Sequence, residues 1–167
     1  MTMVSSEIVA NECLALLRTP LLGDFLDIVK LRNDEWADGV IGRLMAAVGE
    51  EVPHFWAVML TGQETPGLLD VIRRAQRSIV VADLYRDLVD RDQRADCLVL
   101  LHVRGGVTTE LPSDDFVIQE GDIMLVAGSR ARERDLRNIV RNANVASDVI
   151  LNDHALSGWI WRTLRLQ

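Results

Sequence analysis

The 167-residue sequence predicts an α+β protein, in which an N-terminal helical segment precedes a small, mostly antiparallel sheet with helices packed on one face. Three observations support this class. Apolar residues recur at three- and four-residue spacing over residues 1–51, as in amphipathic helices. Short apolar runs separated by turn residues dominate from residue 97 onward, as in antiparallel hairpins. The apolar content of 49% is sufficient for a buried core.

The N-terminal segment, residues 1–51, has the apolar periodicity of three successive helices. The run Ser-Ser-Glu at 5–7 is typical of a helix start, and Pro20 interrupts or restarts the helix because its ring lacks an amide proton. A third helix is predicted to begin after Asn33, whose side chain can cap it, and to end at Gly49. The segment has little polar interior, so we expect it to pack against a partner chain as a linker and dimerisation segment.

Residues 52–167 are predicted to form the second unit. An apolar run at 55–60 indicates a buried strand, and Thr65 followed by Pro66 indicates a helix with threonine as its cap. The segment 78–89 fits a strand followed by one or two helical turns. Strands are then predicted over 97–103, 107–111 and 123–127, with a short apolar run over 116–118 and turns at 105–106, 112–115 and 119–122. A helix over 131–142 and a short strand over 148–151 follow. In the tail, Trp159 and Trp161 are predicted to contact the core or a second subunit.

The net charge of −7, with 25 acidic and 18 basic residues, argues against a nucleic-acid-binding surface. The arginines between 130 and 141 alternate with acidic residues, which favours a solvated helix face, with an anion-binding site as the alternative. No apolar stretch approaches the roughly 18 residues that a membrane span requires, so we expect no direct membrane insertion. Cys13 and Cys97 lack metal-like spacing and are typical of reduced core thiols in a cytosolic protein.

Residue patterns for catalysis are lacking in the sequence. His54, His102 and His154 are isolated, with neither HxH nor HExxH spacing. There is no GxSxG motif and no cysteine paired with a nearby histidine in a known signature. We therefore predict that the chain is not an enzyme; the alternative of a stand-alone enzyme would require a pocket with convergent titratable groups.

Two stretches of the sequence resemble a known family. Residues 111–128, LPSDDFVIQEGDIMLVAG, resemble the signature of the TrkA-C, or RCK C-terminal, domain, in which a proline, an aspartate and an apolar residue precede Gly-Asp and an apolar run ending in glycine. The strand ending in Arg104 and the glycine turn after it fill the preceding part of that signature. Residues 4–11 and 20–26 resemble the helical segment that follows the last Rossmann strand in RCK domains of potassium channels and ties two subunits together.

The resemblance implies a cytoplasmic regulatory, or gating, domain of a bacterial potassium channel or potassium uptake system. Such a module would sense a small ligand or ion, act as a homodimer or higher homo-oligomer, and bind the channel pore or a transporter's membrane subunit at the cytoplasmic face of the membrane. The alternative is an assembly module that only dimerises the channel and binds no ligand. No GxGxxG motif with a following acid occurs, so the nucleotide-binding half of an RCK unit is absent from this sequence, and its start at Met1 suggests a fragment of a longer channel polypeptide.

The candidate ligand-binding residues are Arg104, Ser113, Asp114 and Asp115. We expect no cofactor in this chain itself, and the regulatory ligands considered are a nucleotide and a divalent cation, since carboxylate oxygens suit calcium. Turn chemistry alone also explains the sequence at 112–115. The predicted dimer interface consists of five apolar residues: Leu17, Leu21, Leu22, Phe25 and Leu26.

Overall fold

A computed structural model describes residues 20–49, 51–87, 94 and 96–151. The predicted first helix, Leu17, Trp159 and Trp161 lie outside these residues. The helices are α1 (Pro20–Leu31), α2 (Asp34–Val48), α3 (Pro66–Arg74), α4 (Val81–Leu84), α5 (Arg130–Arg141) and α6 (Ala143–Leu151), and the strands are β1 (His54–Met59), β2 (Cys97–Arg104), β3 (Val107–Glu110) and β4 (Ile123–Gly128).

The four strands form one antiparallel sheet in the order β1-β4-β2-β3. The hairpin between β2 and β3 turns at Gly105 and Gly106, whose φ angles of 56° and 81° are costly for residues with a side chain. The two central strands, β2 and β4, are buried along nearly their whole length, which explains their unbroken apolar sequences. The predicted α+β class and antiparallel sheet are confirmed.

Helices cover both faces of the sheet. Helices α3 to α6 pack on one face, and α1 and α2 pack on the other. A β-bulge at Leu100 helps to fill the second face, because Val99 pairs with Val126 whereas Leu101 pairs with Leu125. The buried residues of the second face are Leu22, Phe25, Val40, Leu98, Leu100, Leu101, Leu125 and Ala127.

The helix boundaries follow local sequence signals. Asn33 caps α2, since its Oδ1 accepts a hydrogen bond from the Trp36 amide at 3.1 Å, and Gly49 ends the helix with a φ of 66°. Helix α3 begins at Pro66 as predicted, but Thr65 does not cap it through its side chain. The Thr65 hydroxyl instead donates to the Met59 carbonyl at 3.2 Å, which ties the helix to the end of β1.

Two predictions of strands differ from the structure. Residues 148–151 are not a strand but the end of α6, because Ala146, Val149 and Ile150 share one helical face and are buried against the core. In the segment 78–89, Val80 makes a single bridge to Val117, and the chain then turns into the short helix α4.

Candidate functional site

A groove of about 590 Å³ lies between α2 and the TrkA-C-like part of the sequence. Arg43 projects from α2, and Ser113 and Asp114 come from the turn that follows β3. The predicted ligand residues Ser113 and Asp114 therefore lie at a junction between the two predicted units of the chain. The lining residues are Arg43, Ala46, Ala47, Arg94, Asp96, Cys97, Leu98, Leu111, Pro112, Ser113 and Asp114.

One wall of the groove is held by Arg94. Its guanidinium donates to both carboxylate oxygens of Asp114, at 2.5 and 3.1 Å, and lies 4.1 Å from the centre of the Tyr85 ring. The hydrogen bond to Asp114 raises the pKa of Arg94, so the cation is retained. Tyr85 is itself fixed in the core, where its hydroxyl accepts a hydrogen bond from the Val99 amide at 2.9 Å and burial raises its pKa to about 12.

The opposite wall offers a cation, Arg43, that none of the described residues neutralises. Arg43 is exposed and makes no ion pair or side-chain hydrogen bond within the described part of the chain. Together with Arg94, Asp96 and Asp114 it gives the groove two positive and two negative side chains. Such a lining suits a polar small molecule that carries charge, because each end of it can meet an opposite charge.

The structure does not bring Arg104 to this groove. Arg104 forms a bidentate ion pair with Asp122, with Nε–Oδ1 and Nη2–Oδ2 distances of 2.6 and 2.7 Å, and also donates to the Val117 carbonyl at 2.7 Å. Asp122 is fully buried and accepts a further hydrogen bond from the Gln119 amide at 2.8 Å. The pair therefore ties the end of β2 to the turn before β4.

Burial alone would raise the pKa of Asp122, but its partners more than offset that effect and hold the pKa below its ordinary value. Arg104 and the Gln119 amide act on the carboxylate directly. His102 is buried beside it, with Nε2 3.0 Å from Asp122 Oδ2, and also lowers the pKa of Asp122. The Arg and the Gly-Asp of the sequence signature are thus the two halves of one ion pair.

Arg132 is a buried cation, whereas its alternation with acidic residues in the sequence had favoured a solvated helix face. Only 4% of Arg132 is exposed, and its Nη2 donates to the carbonyls of Leu84 and Arg86, at 2.5 and 3.1 Å. Its Nε and Nη1 have no hydrogen-bond partner among the residues described. The signal was its spacing, because Arg132 lies four residues before the buried Leu136 and so shares the core face of α5.

Arg132 also lies beside Cys97, which lines the groove. Burial raises the pKa of the Cys97 thiol, and the nearby Arg132 guanidinium only partly opposes that effect. In residues 20–49, 51–87, 94 and 96–151, no three His, Cys, Asp or Glu side chains are grouped so that they could hold a metal ion. The two acids predicted as ligands have other contacts. Asp114 binds Arg94, and Asp115, which does not line the groove, accepts a hydrogen bond from the Ser113 hydroxyl.

The residues predicted for the dimer interface divide into two groups. Leu22 and Phe25 are buried against the sheet of the same chain, and Leu21 packs at the edge of that cluster. Leu26 is 41% exposed. Other large apolar side chains of the N-terminal helices are more exposed, namely Leu31, Ile41 and Met45, at 87%, 53% and 60%.

None of the helices within the described ranges combines the length and the apolar character needed to cross a membrane. Residues 84–141 match the family of the TrkA-C domain. This region runs from the end of α4 through β2, β3 and β4 to the end of α5 and includes Arg104, Asp122 and most of the groove. No curated protein matches the chain.

TrkA-C is a family of regulatory rather than catalytic domains, and it indicates a regulatory role in potassium transport systems. The match contains the stretch at 111–128 that carries the resemblance in the sequence. That resemblance is therefore confirmed over residues 84–141.

Proposed function

We propose that the chain is the cytoplasmic gating module of a bacterial potassium channel or potassium uptake system, and that it senses a small charged ligand in the groove. The observation that carries this proposal is the position of the groove, which has α2 as one wall and the TrkA-C domain as the other. A ligand held there contacts both parts of the chain at once. Its binding therefore depends on how α2 lies on the sheet.

The contact between these two parts suits a small rearrangement. It consists mainly of apolar packing, in which Leu22, Phe25 and Val40 meet the leucines of β2. Outside this cluster, Arg32 makes a bidentate ion pair with Glu110 of β3, at 2.7 and 3.1 Å. Apolar packing is non-directional, so α1 and α2 can shift slightly while both walls of the groove stay intact. A ligand that binds one arrangement more tightly then shifts the population toward it.

The signal needs a second subunit if it is to reach a pore. We infer that the module is a homodimer whose seam includes Leu26, Ile41 and Met45. These apolar side chains are exposed on α1 and on α2, and α2 forms the groove wall. Ligand binding would then change the angle between two TrkA-C domains, which the membrane subunit of the channel or transporter would follow.

The test is a thermal-shift screen of the purified protein with nucleotides, dinucleotides, magnesium and calcium. A ligand at about 100 times its dissociation constant stabilises the folded state by about 2.7 kcal/mol. We expect the melting temperature to rise with ligand concentration and then to saturate. In Arg43→Ala, the ligand concentration that gives half of this rise should be at least tenfold higher. The matched control is Gln76→Ala, an exposed position that does not line the groove.

A second candidate function follows from the same exposed apolar side chains. Ile41 and Met45 would suffice for a module that only assembles the channel and binds no ligand. A panel without any shift, combined with a stable dimer in solution, would favour this assembly function. Ligand shifts that persist unchanged in Arg43→Ala would place sensing outside the groove.

A further inference from the structure

Helix α5 presents a row of arginines to solvent. Arg130, Arg134, Arg137 and Arg141 are spaced by four, three and four residues, so they lie on one helical face opposite the buried Leu136. We name this row the basic stripe, and it extends over about 16 Å of helix. Within the stripe only Arg137 has an ion pair in the described ranges, with Glu133 at 2.7 Å.

An exposed cluster of opposite charge lies at the start of α2. Asp34, Glu35 and Asp38 are all exposed, and none makes an ion pair with a described residue. We name this cluster the acidic patch. Its charges interact favourably with the positive end of the helix dipole, and carboxylates can accept hydrogen bonds from an incoming cation.

The stripe and the patch cannot neutralise each other within one molecule. Helix α5 packs on the face of the sheet that carries α3, α4 and α6, whereas α2 packs on the other face. The sheet therefore separates the two charged surfaces. A contact between them requires two copies of the chain.

We propose that the basic stripe of one copy docks on the acidic patch of a second copy. The charges of the two surfaces support this partner, since the stripe carries four arginines and the patch carries three carboxylates. No large apolar side chain is exposed on α5, so the stripe also lacks the residues that insert into a lipid surface. A protein surface that carries carboxylates is the better complement.

The contact uses two different surfaces, so it is heterologous and distinct from a two-fold dimer seam. Heterologous contacts join copies head to tail and close into a ring or continue as an open chain. Because the charges are solvent-exposed, the contact is weak and sensitive to salt. The contact would link dimers side by side where the local concentration of the protein is high. It would not bury a large apolar area.

The experiment is sedimentation velocity of the full chain at several protein concentrations, at about 20 mM and about 500 mM NaCl, where screening lengths differ several-fold. We expect association beyond the basal state at low salt, weakened at least tenfold at high salt. The stripe variant Arg134→Glu/Arg141→Glu and the patch variant Asp34→Lys/Asp38→Lys should each lose it. Circular dichroism and thermal melting check that both variants fold.

Mixing the two variants provides the decisive comparison, because the reversed stripe and the reversed patch again carry opposite charges. We expect the mixture to regain salt-sensitive association that neither variant shows alone. Absence of association in the wild-type chain at low salt, or a mixture that stays dissociated, would overturn the proposal. Arginine-dependent binding to vesicles with anionic lipids, without self-association, would assign the stripe to a membrane and overturn it as well.

Discussion

Arg104 and Asp122 face each other across the open end of the β2–β4 pair, and their bidentate contact of 2.6 and 2.7 Å closes the TrkA-C sheet at that end. Arg104 precedes the β2–β3 hairpin, and Asp122 follows the long turn after β3. Their pairing therefore fixes the path of the chain between them. The Val117 carbonyl and the Gln119 amide bind to the same pair. The motif is thus a structural clamp made of two charges and two backbone groups.

Removal of this clamp should destabilise the domain. In Asp122→Asn the buried carboxylate loses its charge, and Arg104 loses a charge-assisted partner while retaining access to water. Hydrogen bonds to charged groups contribute about 1.5–3 kcal/mol each, so we expect a loss of about 2–3 kcal/mol in the free energy of unfolding, measured by urea titration. Asp115→Asn is the control, because Asp115 is exposed and should change stability by less than about 0.5 kcal/mol. Equal effects of the two substitutions would contradict the clamp.

The lowered pKa of Asp122 predicts a pH dependence with a defined sign. A carboxyl whose pKa is lower in the folded state contributes stability above its unfolded value, near 3.8, and that contribution is lost as the pH falls through the folded value. The unfolded chain binds more protons in this window, so stability decreases with acid. We expect the stability difference between wild type and Asp122→Asn to be full at about pH 6 and to shrink below about pH 4. A constant difference across that range would show that Asp122 does not titrate as the clamp requires.

Local sequence signals predicted most helices and strands because their causes are local. The Asn33 cap, the Gly49 stop and the glycine hairpin at 105–106 act within a few residues. Helix α6 was different, since Val149, Ile150 and Leu151 favour a strand by propensity but are held as a helix by packing on α3 and α5. Tertiary contacts that decide such cases do not appear in a single sequence.

The candidate site was predictable only in part. Ser113 and Asp114 were found because a family signature runs through them, and they line the groove. Arg43 and Arg94 lie about fifty residues apart, on different elements, and no local pattern relates them. Arg132 was misplaced because its alternation with acids on α5 concealed its register with Leu136. Sites assembled from distant segments need the fold before they can be recognised.

The buried guanidinium of Arg132 predicts an uneven response to substitution. Two of its nitrogens are unpaired within the described residues, so its burial is costly, and an apolar side chain of similar length avoids that cost. We expect Arg132→Met to lie within about 1 kcal/mol of the wild type, since replacement of buried charges by well-packed apolar residues is often neutral. Arg132→Ala should cost about 2–4 kcal/mol, because it also leaves a cavity. Equal losses in the two variants, measured by thermal unfolding, would show that the hydrogen bonds to Leu84 and Arg86 dominate.

Two glycines in helices predict opposite effects of the same substitution. A Cβ on Gly67 of α3 would lie 2.6 Å from the carbonyl carbon of Asn142, at the junction of α5 and α6, where the backbone has little freedom to move. We expect Gly67→Ala to cost about 1–3 kcal/mol or more. A Cβ on Gly42 of α2 meets nothing within 4 Å, so Gly42→Ala should stabilise the protein by about 0.5–1 kcal/mol. Comparison of both melting temperatures with the wild type checks the sign of each effect.

The exposed apolar residues of α2 predict the location of the dimer seam. Ile41 and Met45 are spaced by four residues and lie on one face, with more than half of each side chain exposed. In a two-fold seam these residues occur twice, and their burial would contribute on the order of 5 kcal/mol before the cost of association is subtracted. Ile41→Glu/Met45→Glu should therefore convert a dimer into a monomer, as measured by light scattering after gel filtration. Val107→Glu is the control, because Val107 is 68% exposed but lies on β3, away from this seam. A double variant that remains dimeric would move the interface away from α2, and a wild-type monomer would remove the dimer from the gating mechanism altogether.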